Sequence, residues 1–344
     1  MIRVLVADDS ATAREYLAHL FDETSDLVVV GAVRNGLEAV ERAERLRPDV
    51  IVMDIHMPRM NGFDATREIM QRVPTPIVLV SGSINREEAS LTFEALKAGA
   101  LTVVGKPGGP GHPDHAESAR LLVDTARLMA GVKVVRRWRR REAPPSTPPL
   151  PLQGGRTIRL VAIGASTGGP QVLAEILAGV PHELRVPVLV VQHIAPGFAG
   201  AFAEWLGQGT RAAVKVAQSG EQAHPATVYL APDGFQMGIA RDGRIRLTSD
   251  PAEDGFRPSA SHLFRSVAEA YGRLGMGILL TGMGRDGAKG LLRLRQAGGL
   301  TVAQDEETSV IFGMPAEAIR AGAAEYVLAP DRISAMIGSL IPVS

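Results

Sequence analysis

Short runs of consecutive valine, isoleucine and leucine recur along this chain, and most are followed by a stretch of helical periodicity. The first of them read IRVLVAD, LVVVGAV, DVIVMD, PIVLVS and ALTVVGK, with AREYLAHLFDE and GLEAVERAERL between them. A strand with one wet face alternates apolar and polar residues. A run that is apolar at nearly every position suits a strand covered on both faces. The alternation therefore predicts a parallel sheet with helices on both sides. A closing helix at roughly 115–130 sets Leu121, Leu122, Thr125, Leu128 and Met129 at helical spacing.

The pattern breaks once. Residues 142–155 read EAPPSTPPLPLQGG, and five prolines and two glycines in so short a stretch make a linker rather than a packed element. Just upstream lies KVVRRWRRRE, residues 133–142. Seven basic residues and one acid fall between 132 and 157, so the rest of a chain with zero formal net charge is acidic. A basic arm carrying Trp138 suits nucleic acid, a solvated linker start, or a docking strip against the acidic domains. Zero net charge gives no reason to expect nucleic acid for the chain as a whole.

After the linker the alternation resumes with IRLVAIGAS, VPVLVVQH, TVYLAPD, GMGILLTG and LTVAQD, separated by PQVLAEILAG, GAFAEWLGQG, SASHLFRSVAEAY and GAKGLLRLRQAG. IRLTSD and the preceding TVYLAPDGFQMGIARDG could add a hairpin. A length of 344 residues suits two domains, and 45% hydrophobic residues supply two cores. The expected fold is α/β: two doubly wound parallel-sheet domains, 1–131 and 157–344, joined by a linker at 132–156. The absence of cysteine removes disulfides and thiolate metal sites. The opening MIRVLVADDS lacks the long apolar core of a signal peptide, and no run approaches the ~18 apolar residues of a membrane span. A cytoplasmic protein with no membrane insertion is expected.

In doubly wound folds, ligands gather at the carboxyl ends of the strands. In the first domain those ends carry Asp8 and Asp9, Asp54, Ser81 and Lys106. Three carboxylates converging with no cation would repel and raise one another's pKa. A hard divalent ion such as Mg2+, held by one or two carboxylates and water, resolves the repulsion. Lys106 and Ser81 could then receive the oxygens of a phosphoryl group placed on a carboxylate. One acid would mark no more than a polar strand end; five polar groups at four strand ends form a pattern.

The second domain opens with RLVAIGASTGGP, residues 159–170, in which an apolar run ends near Ser166 and a helical pattern begins. A helix N-terminus favours a developing anion, which suits a phosphate and an attacking serine alike. The stretch lacks the Lys-Ser/Thr of a P-loop and fails the G-x-G-x-x-G fingerprint. The next strand ends in Gln192-His193 rather than an acid, so dinucleotide binding is disfavoured. A serine nucleophile needs a base. His182 and His224 precede strands, at the wrong sheet edge, and His262 sits within a helical stretch. Only His193 lies at a carboxyl end, beside Ser166. The acid that would orient its imidazole has three candidates, Asp233, Asp286 and Asp305, and periodicity does not choose among them. TGMGRDG, residues 281–287, could bring Asp286 and a backbone N–H into the site, or be a tight turn.

Two resemblances sharpen this reading. ADDS, MDIHMPRMNG, LVSGS and VVGKP resemble the receiver domain of two-component response regulators over nearly all of 1–131. That resemblance implies Asp54 as phospho-acceptor. It implies Mg2+ held by Asp8, Asp9, Asp54 and the backbone carbonyl of His56, with Ser81 and Lys106 sensing the phosphoryl group. Val103 departs from the pattern, because receivers often carry an aromatic switch residue three positions before the lysine. GASTGGP, QHIAPGF, ILLTGMGRDG, QAGG and QDEETSVIFGMPAEAI resemble the catalytic domain of the chemotaxis protein-glutamate methylesterase/glutaminase family (CheB-type). Together the resemblances cover the chain apart from the linker.

The second resemblance implies Ser166 as nucleophile, His193 as general base and Asp286 as its orienter. The Met283 backbone N–H, with Thr167 close by, would support the oxyanion, and no cofactor is implied in this domain. The implied substrates are glutamate methyl esters and glutamines of methyl-accepting chemoreceptors, and the implied phosphodonor is a chemotaxis histidine kinase. A monomer is expected. The unphosphorylated receiver is expected to cover the Ser166 edge, and phosphorylation of Asp54 to shift the population to an open form. Family members commonly read His-Arg-Pro-Ser-x-Asp where this chain reads Phe256-Arg257-Pro258-Ser259-Ala260-Ser261. The triad is expected to be untouched by that change and the rim of the cleft to differ. The altered segment leaves an alternative, a non-catalytic phospho-switch that binds a chemosensory array. A DNA-binding regulator using the basic arm would need a helix-turn-helix pattern, which the second domain lacks.

Overall fold

The computed structural model describes residues 1–81, 99–109, 111, 115–132, 156–180, 184 and 186–340. The basic arm and the proline-rich stretch at 133–155, and His182, lie outside the described residues. The chain divides into two compact units, Met1–Glu142 and Ala143–Ser344.

The first unit is a five-stranded parallel sheet built from β1 (Ile2–Ala7), β2 (Leu27–Val33), β3 (Val50–Asp54), β4 (Ile77–Ser81) and β5 (Thr102–Gly105), in the order β2-β1-β3-β4-β5. Helices α1 (Ala11–Asp22), α2 (Gly36–Leu46), α3 (Gly62–Arg72) and α4 (His115–Ala130) connect or flank them. Every residue of β3 and β4 is buried, which is why those runs carry no polar alternation. Side chains start the helices at the strand ends. Ser10 accepts the Ala13 N–H at 3.3 Å, Asn35 that of Glu38 at 3.0 Å, and Asn61 that of Asp64 at 2.8 Å. In α4 the stripe read from the sequence is only partly inward. Leu122, Thr125 and Met129 are buried, whereas Leu121 and Leu128, seven residues apart, are 51% and 36% exposed.

The second unit carries a seven-stranded parallel sheet. Its strands are β6 (Leu160–Ala165), β7 (Val188–Gln192), β8 (Ala213–Val216), β9 (Thr227–Leu230), β12 (Gly275–Leu279), β13 (Leu300–Gln304) and β14 (Tyr326–Leu328). The order is β14-β13-β12-β6-β7-β9-β8. The chain thus enters at β6, winds one way to β7, β9 and β8, and then crosses to β12 and winds the other way. The switch point lies between β6 and β12, where a doubly wound fold opens its crevice. The helices are α5 (Gly169–Gly179), α6 (Ala199–Gly209), α7 (Ala260–Ala270), α8 (Ala288–Gln296), α9 (Met314–Arg320) and α10 (Pro330–Gly338). Phe264 and Leu263 of α7, Leu291 and Leu294 of α8, and Leu160, Leu189 and Leu279 of the sheet share one buried cluster.

An antiparallel hairpin, β10 (Gln236–Ile239) with β11 (Ile245–Thr248), stands apart from the sheet. The expected hairpin is therefore present: IRLT pairs with QMGI, while TVYL belongs to the main sheet. Sequence reading passes over the outermost strands β8 and β14. Edge strands have one unpaired side, and AVKV and YVL are short and incompletely buried, so neither makes a continuous apolar run.

Candidate active site

Ser166 follows β6 directly and precedes α5, with Gly168 between them at a φ of +78° that an L side chain adopts only under strain. The loop is fastened on two sides. The Ser166 N–H donates to the Thr281 carbonyl at 3.0 Å, and the His193 N–H donates to the Ala165 carbonyl at 2.9 Å. Gly282 passes so close that a Cβ there would lie 2.6 Å from Ser166 Cβ, so the second glycine-rich loop must have no side chain at this point. Those bonds bring the ends of β6, β7 and β12 together. Ser166 is 8% exposed at this edge.

His193 Nε2 lies 2.9 Å from Asp286 Oδ2. Asp286 is fully buried and is held by more than the imidazole. Oδ2 also accepts the Ala260 N–H at 2.7 Å. Oδ1 accepts Ser259 Oγ–H at 2.8 Å, the Ser261 N–H at 3.0 Å and the Gly287 N–H at 2.8 Å. Two of these N–H groups open α7, where the helix dipole favours a negative charge. Burial pushes the Asp286 carboxyl up. The hydrogen bond and charge of His193, with Ser259 and the Ser261 N–H, outweigh it and bring it down to about 2. An ionised carboxylate can only accept, so Nε2 carries a proton, and in the neutral imidazole Nδ1 is then the acceptor nitrogen. Nδ1 is buried and has no hydrogen-bond partner among the described residues.

The other acids serve their own loops. Asp233 accepts the Gly197 N–H at 2.6 Å, Asp305 accepts the Thr308 N–H at 3.0 Å, and neither bonds His193 among the described residues. Thr167 and Met283 lie in the two loops flanking Ser166. Among the described residues neither backbone N–H has an intramolecular acceptor, so both remain available to an anion.

Phe256 corrects the expectation that the 256–261 departure spares the triad. Its ring stacks on His193 with centroids 3.8 Å apart and planes 2° from parallel. Ser261, the other departure, accepts the Gly287 N–H on Oγ at 2.7 Å beside Asp286. Sequence reasoning also missed Gln192. Its amide donates to the Ser166 and His193 carbonyls, each at 2.8 Å, and so braces the Ser166 loop against the His193 loop. The available signal was a glutamine, a two-armed donor, closing an otherwise apolar strand.

Asp286 also predicts acid behaviour. Its folded pKa lies below the ordinary value, so the stability its charge contributes is complete above about pH 4 and is lost as the pH falls toward 2. The loss is on the order of 2 kcal/mol. Urea midpoints measured between pH 5 and pH 2 should step down across this window in wild type, and the step should be smaller in Asp286→Asn.

In the first unit, Asp8, Asp9 and Asp54 each offer an oxygen within 4.8 Å of the others. Lys106 Nζ lies 2.8 Å from Asp8 Oδ2 and 2.9 Å from Asp54 Oδ2. Ser81 ends β4, and its carbonyl accepts the Lys106 N–H at 2.8 Å, which sets the two residues side by side. The His56 backbone N–H bonds the Asp54 carboxylate. Burial pushes the Asp54 carboxyl up, and the Asp8 charge adds to this against the pull of Lys106. Burial also works against the Lys106 charge, but hydrogen bonds to both aspartates hold it above its ordinary value. Three carboxylates facing one ammonium leave an excess of negative charge on hard oxygen donors. That donor set fits Mg2+.

A carboxylate pocket of receiver type on one sheet and a Ser-His-Asp edge on the other define a response regulator whose output domain is laid out like a serine hydrolase. Residues 4–112 match the response regulator receiver domain, and residues 161–337 match the CheB methylesterase family. A Geobacter metallireducens protein-glutamate methylesterase/protein-glutamine glutaminase is 51% identical over 343 residues, 99% of each chain. One from Nitrosospira multiformis is 47% identical over 99% of this chain and 97% of its own. The crystal structure of the Thermotoga maritima CheB methylesterase catalytic domain has 37% identity and a TM-score of 0.52, spanning 54% of this chain and 100% of that one. The chain belongs to the CheB methylesterase family, in a form that also carries a receiver domain.

Proposed function

We propose that Ser166, His193 and Asp286 carry the hydrolysis and that Asp54 switches it. The chain is a protein-glutamate methylesterase and protein-glutamine glutaminase with a receiver domain, acting in chemotaxis adaptation. The observation that carries the assignment is the polarity of the imidazole. An ionised Asp286 holds the Nε2 proton, and Nδ1 is left as a buried acceptor with no partner among the described residues. A general base needs an acceptor nitrogen that no neighbour has already taken, and Nδ1, at the sheet edge that carries Ser166, supports that role.

In the proposed reaction Nδ1 removes the Ser166 proton as Oγ attacks the methyl ester of a receptor glutamate. The Thr167 and Met283 N–H groups meet the oxyanion, at about 3–4 kcal/mol for each donor. His193 returns the proton to the departing methoxide, and methanol leaves. Water, deprotonated by the same nitrogen, then hydrolyses the acyl-enzyme. A glutamine amide follows the same route with ammonia as the leaving group. Covalent labelling of Ser166 by a fluorophosphonate, blocked by methylated receptor fragment, tests the assignment. An unlabelled Ser166 would favour the non-catalytic switch.

The proposed organisation is a receiver at 1–131, a linker at 132–156 and a catalytic domain at 157–344. The proposed substrates are the methylated helices of methyl-accepting chemoreceptors, the phosphodonor is a chemotaxis histidine kinase, and the location is the cytoplasm. Among the described residues no helix is long and apolar enough to cross a membrane. Asp8, Asp9 and Asp54, with the His56 carbonyl, would hold Mg2+, which when bound neutralises the carboxylates and the phosphoryl oxygens. Lys106 then pairs with a phosphoryl oxygen and Ser81 senses it. With a small phosphodonor and Mg2+, wild type should release methanol faster than without them. Asp54→Asn should keep the basal rate and lose the stimulation. Equal stimulation of both would remove Asp54 from the switch.

A further inference from the structure

The phenyl ring of Phe256 lies flat on the imidazole of His193, and the segment that presents it is tied down from three directions. Phe256 and Glu253 exchange backbone bonds at 2.9 and 3.0 Å, closing a tight loop through Asp254 and Gly255, both at positive φ. The Glu253 carboxylate takes a two-pronged bond from Arg265 of α7, at 2.7 Å on each arm. Gln236, fully buried on β10, donates to the Phe256 carbonyl at 3.1 Å and accepts the Ser259 N–H at 2.9 Å. The hairpin outside the main sheet thus anchors the ring that covers the imidazole.

We propose that Phe256 is a positioning residue for the hydrolysis. It fixes the plane of the His193 ring, so that Nε2 stays on Asp286 and Nδ1 stays the unpaired nitrogen. The inference rests on His193 being the base. A hydrogen bond to Asp286 fixes one point of the imidazole and leaves it free to swing about that bond. A parallel face 3.8 Å away removes the swing. The same face acts in the transition state. While His193 holds the Ser166 proton, its positive ring rests on the electron-rich face of the phenyl, an attraction absent when the imidazole is neutral.

The test uses the full chain with phosphodonor and Mg2+, and reads kcat and KM for methanol release from methylated receptor fragment. Phe256→Leu and Phe256→Met keep apolar bulk and lose the plane; Phe256→Tyr keeps the plane. The expected result is a fall of about tenfold in kcat for Leu and Met, the size of an aromatic stacking term, with KM changed by less than about twofold and Tyr restoring the rate. Thermal melts identify a variant that fails to fold, and the other apolar variant then carries the test. Full kcat in Phe256→Leu or Phe256→Met, a loss in Phe256→Tyr as deep as in Leu, or a rise confined to KM would each overturn the proposal. His193→Gln separates the two readings. If it retains activity, the base assignment fails. If it is inactive while Phe256→Leu is fully active, only the platform fails.

Discussion

Ser166→Ala is expected to abolish methanol release, with kcat falling roughly 10⁴- to 10⁶-fold, the scale on which removing a serine nucleophile acts in unrelated hydrolases. The remaining rate would come from what the substitution spares, the Thr167 and Met283 N–H groups and the binding of substrate. Stability should hardly change. Among the described residues the Ser166 hydroxyl holds no hydrogen bond, so its removal strands no partner. The loop is fastened by backbone bonds at 166 and 193 that alanine keeps. A change within about 0.5 kcal/mol is expected. The measurement is single-turnover methanol release beside a urea titration on the same preparation. Activity surviving in a folded Ser166→Ala protein would place the nucleophile elsewhere and reopen the role of the whole β6–β12 crevice.

Asp286→Asn should be nearly as damaging, for two separable reasons. The first is tautomeric. Asparagine can offer an N–H to His193, which would move the imidazole proton to Nδ1 and leave no acceptor for the serine proton. In a serine protease that exchange costs about 10⁴ in kcat. The second is structural. Both carboxylate oxygens accept main-chain N–H groups, Oδ2 from Ala260 and Oδ1 from Ser261 and Gly287. Either orientation of an asparagine amide therefore sets an NH2 against a backbone donor, a loss of about 1–3 kcal/mol. Rates measured well below the melting temperature isolate the first effect, and melting curves report the second. A folded Asp286→Asn enzyme within about tenfold of wild type would show that the proton on Nε2 is not what this acid secures.

Much of the site was legible from residue order. Strand ends are readable because an apolar run must stop where the chain leaves the sheet, so Asp8, Asp54, Lys106, Ser166 and His193 stand out in the sequence alone. Local pattern left the choice among Asp233, Asp286 and Asp305 open, and only the family resemblance pointed to Asp286. All three follow strands, and the crossing of the chain at the switch point sets β12, which leads to Asp286, next to β6. Phe256 and Gln192 were illegible for a related reason. Phe256 reaches His193 across 63 positions of sequence through a hairpin and a loop held by Gln236 and Arg265, and no local period encodes that contact. Gln192 looked like a polar strand end until its two amide hydrogens met the Ser166 and His193 carbonyls.

The sequence by itself determined the two parallel α/β sheets and the chemistry available at each sheet edge. Those properties follow from local hydrophobic pattern and from which side chains can bear charge or attack. Tertiary structure decided which acid meets the imidazole, which of its nitrogens is left without a partner among the described residues, and which ring stacks on it. Such properties depend on the order of strands in the sheet and on hydrogen bonds between residues distant in sequence, and they exist only once the chain has closed on itself.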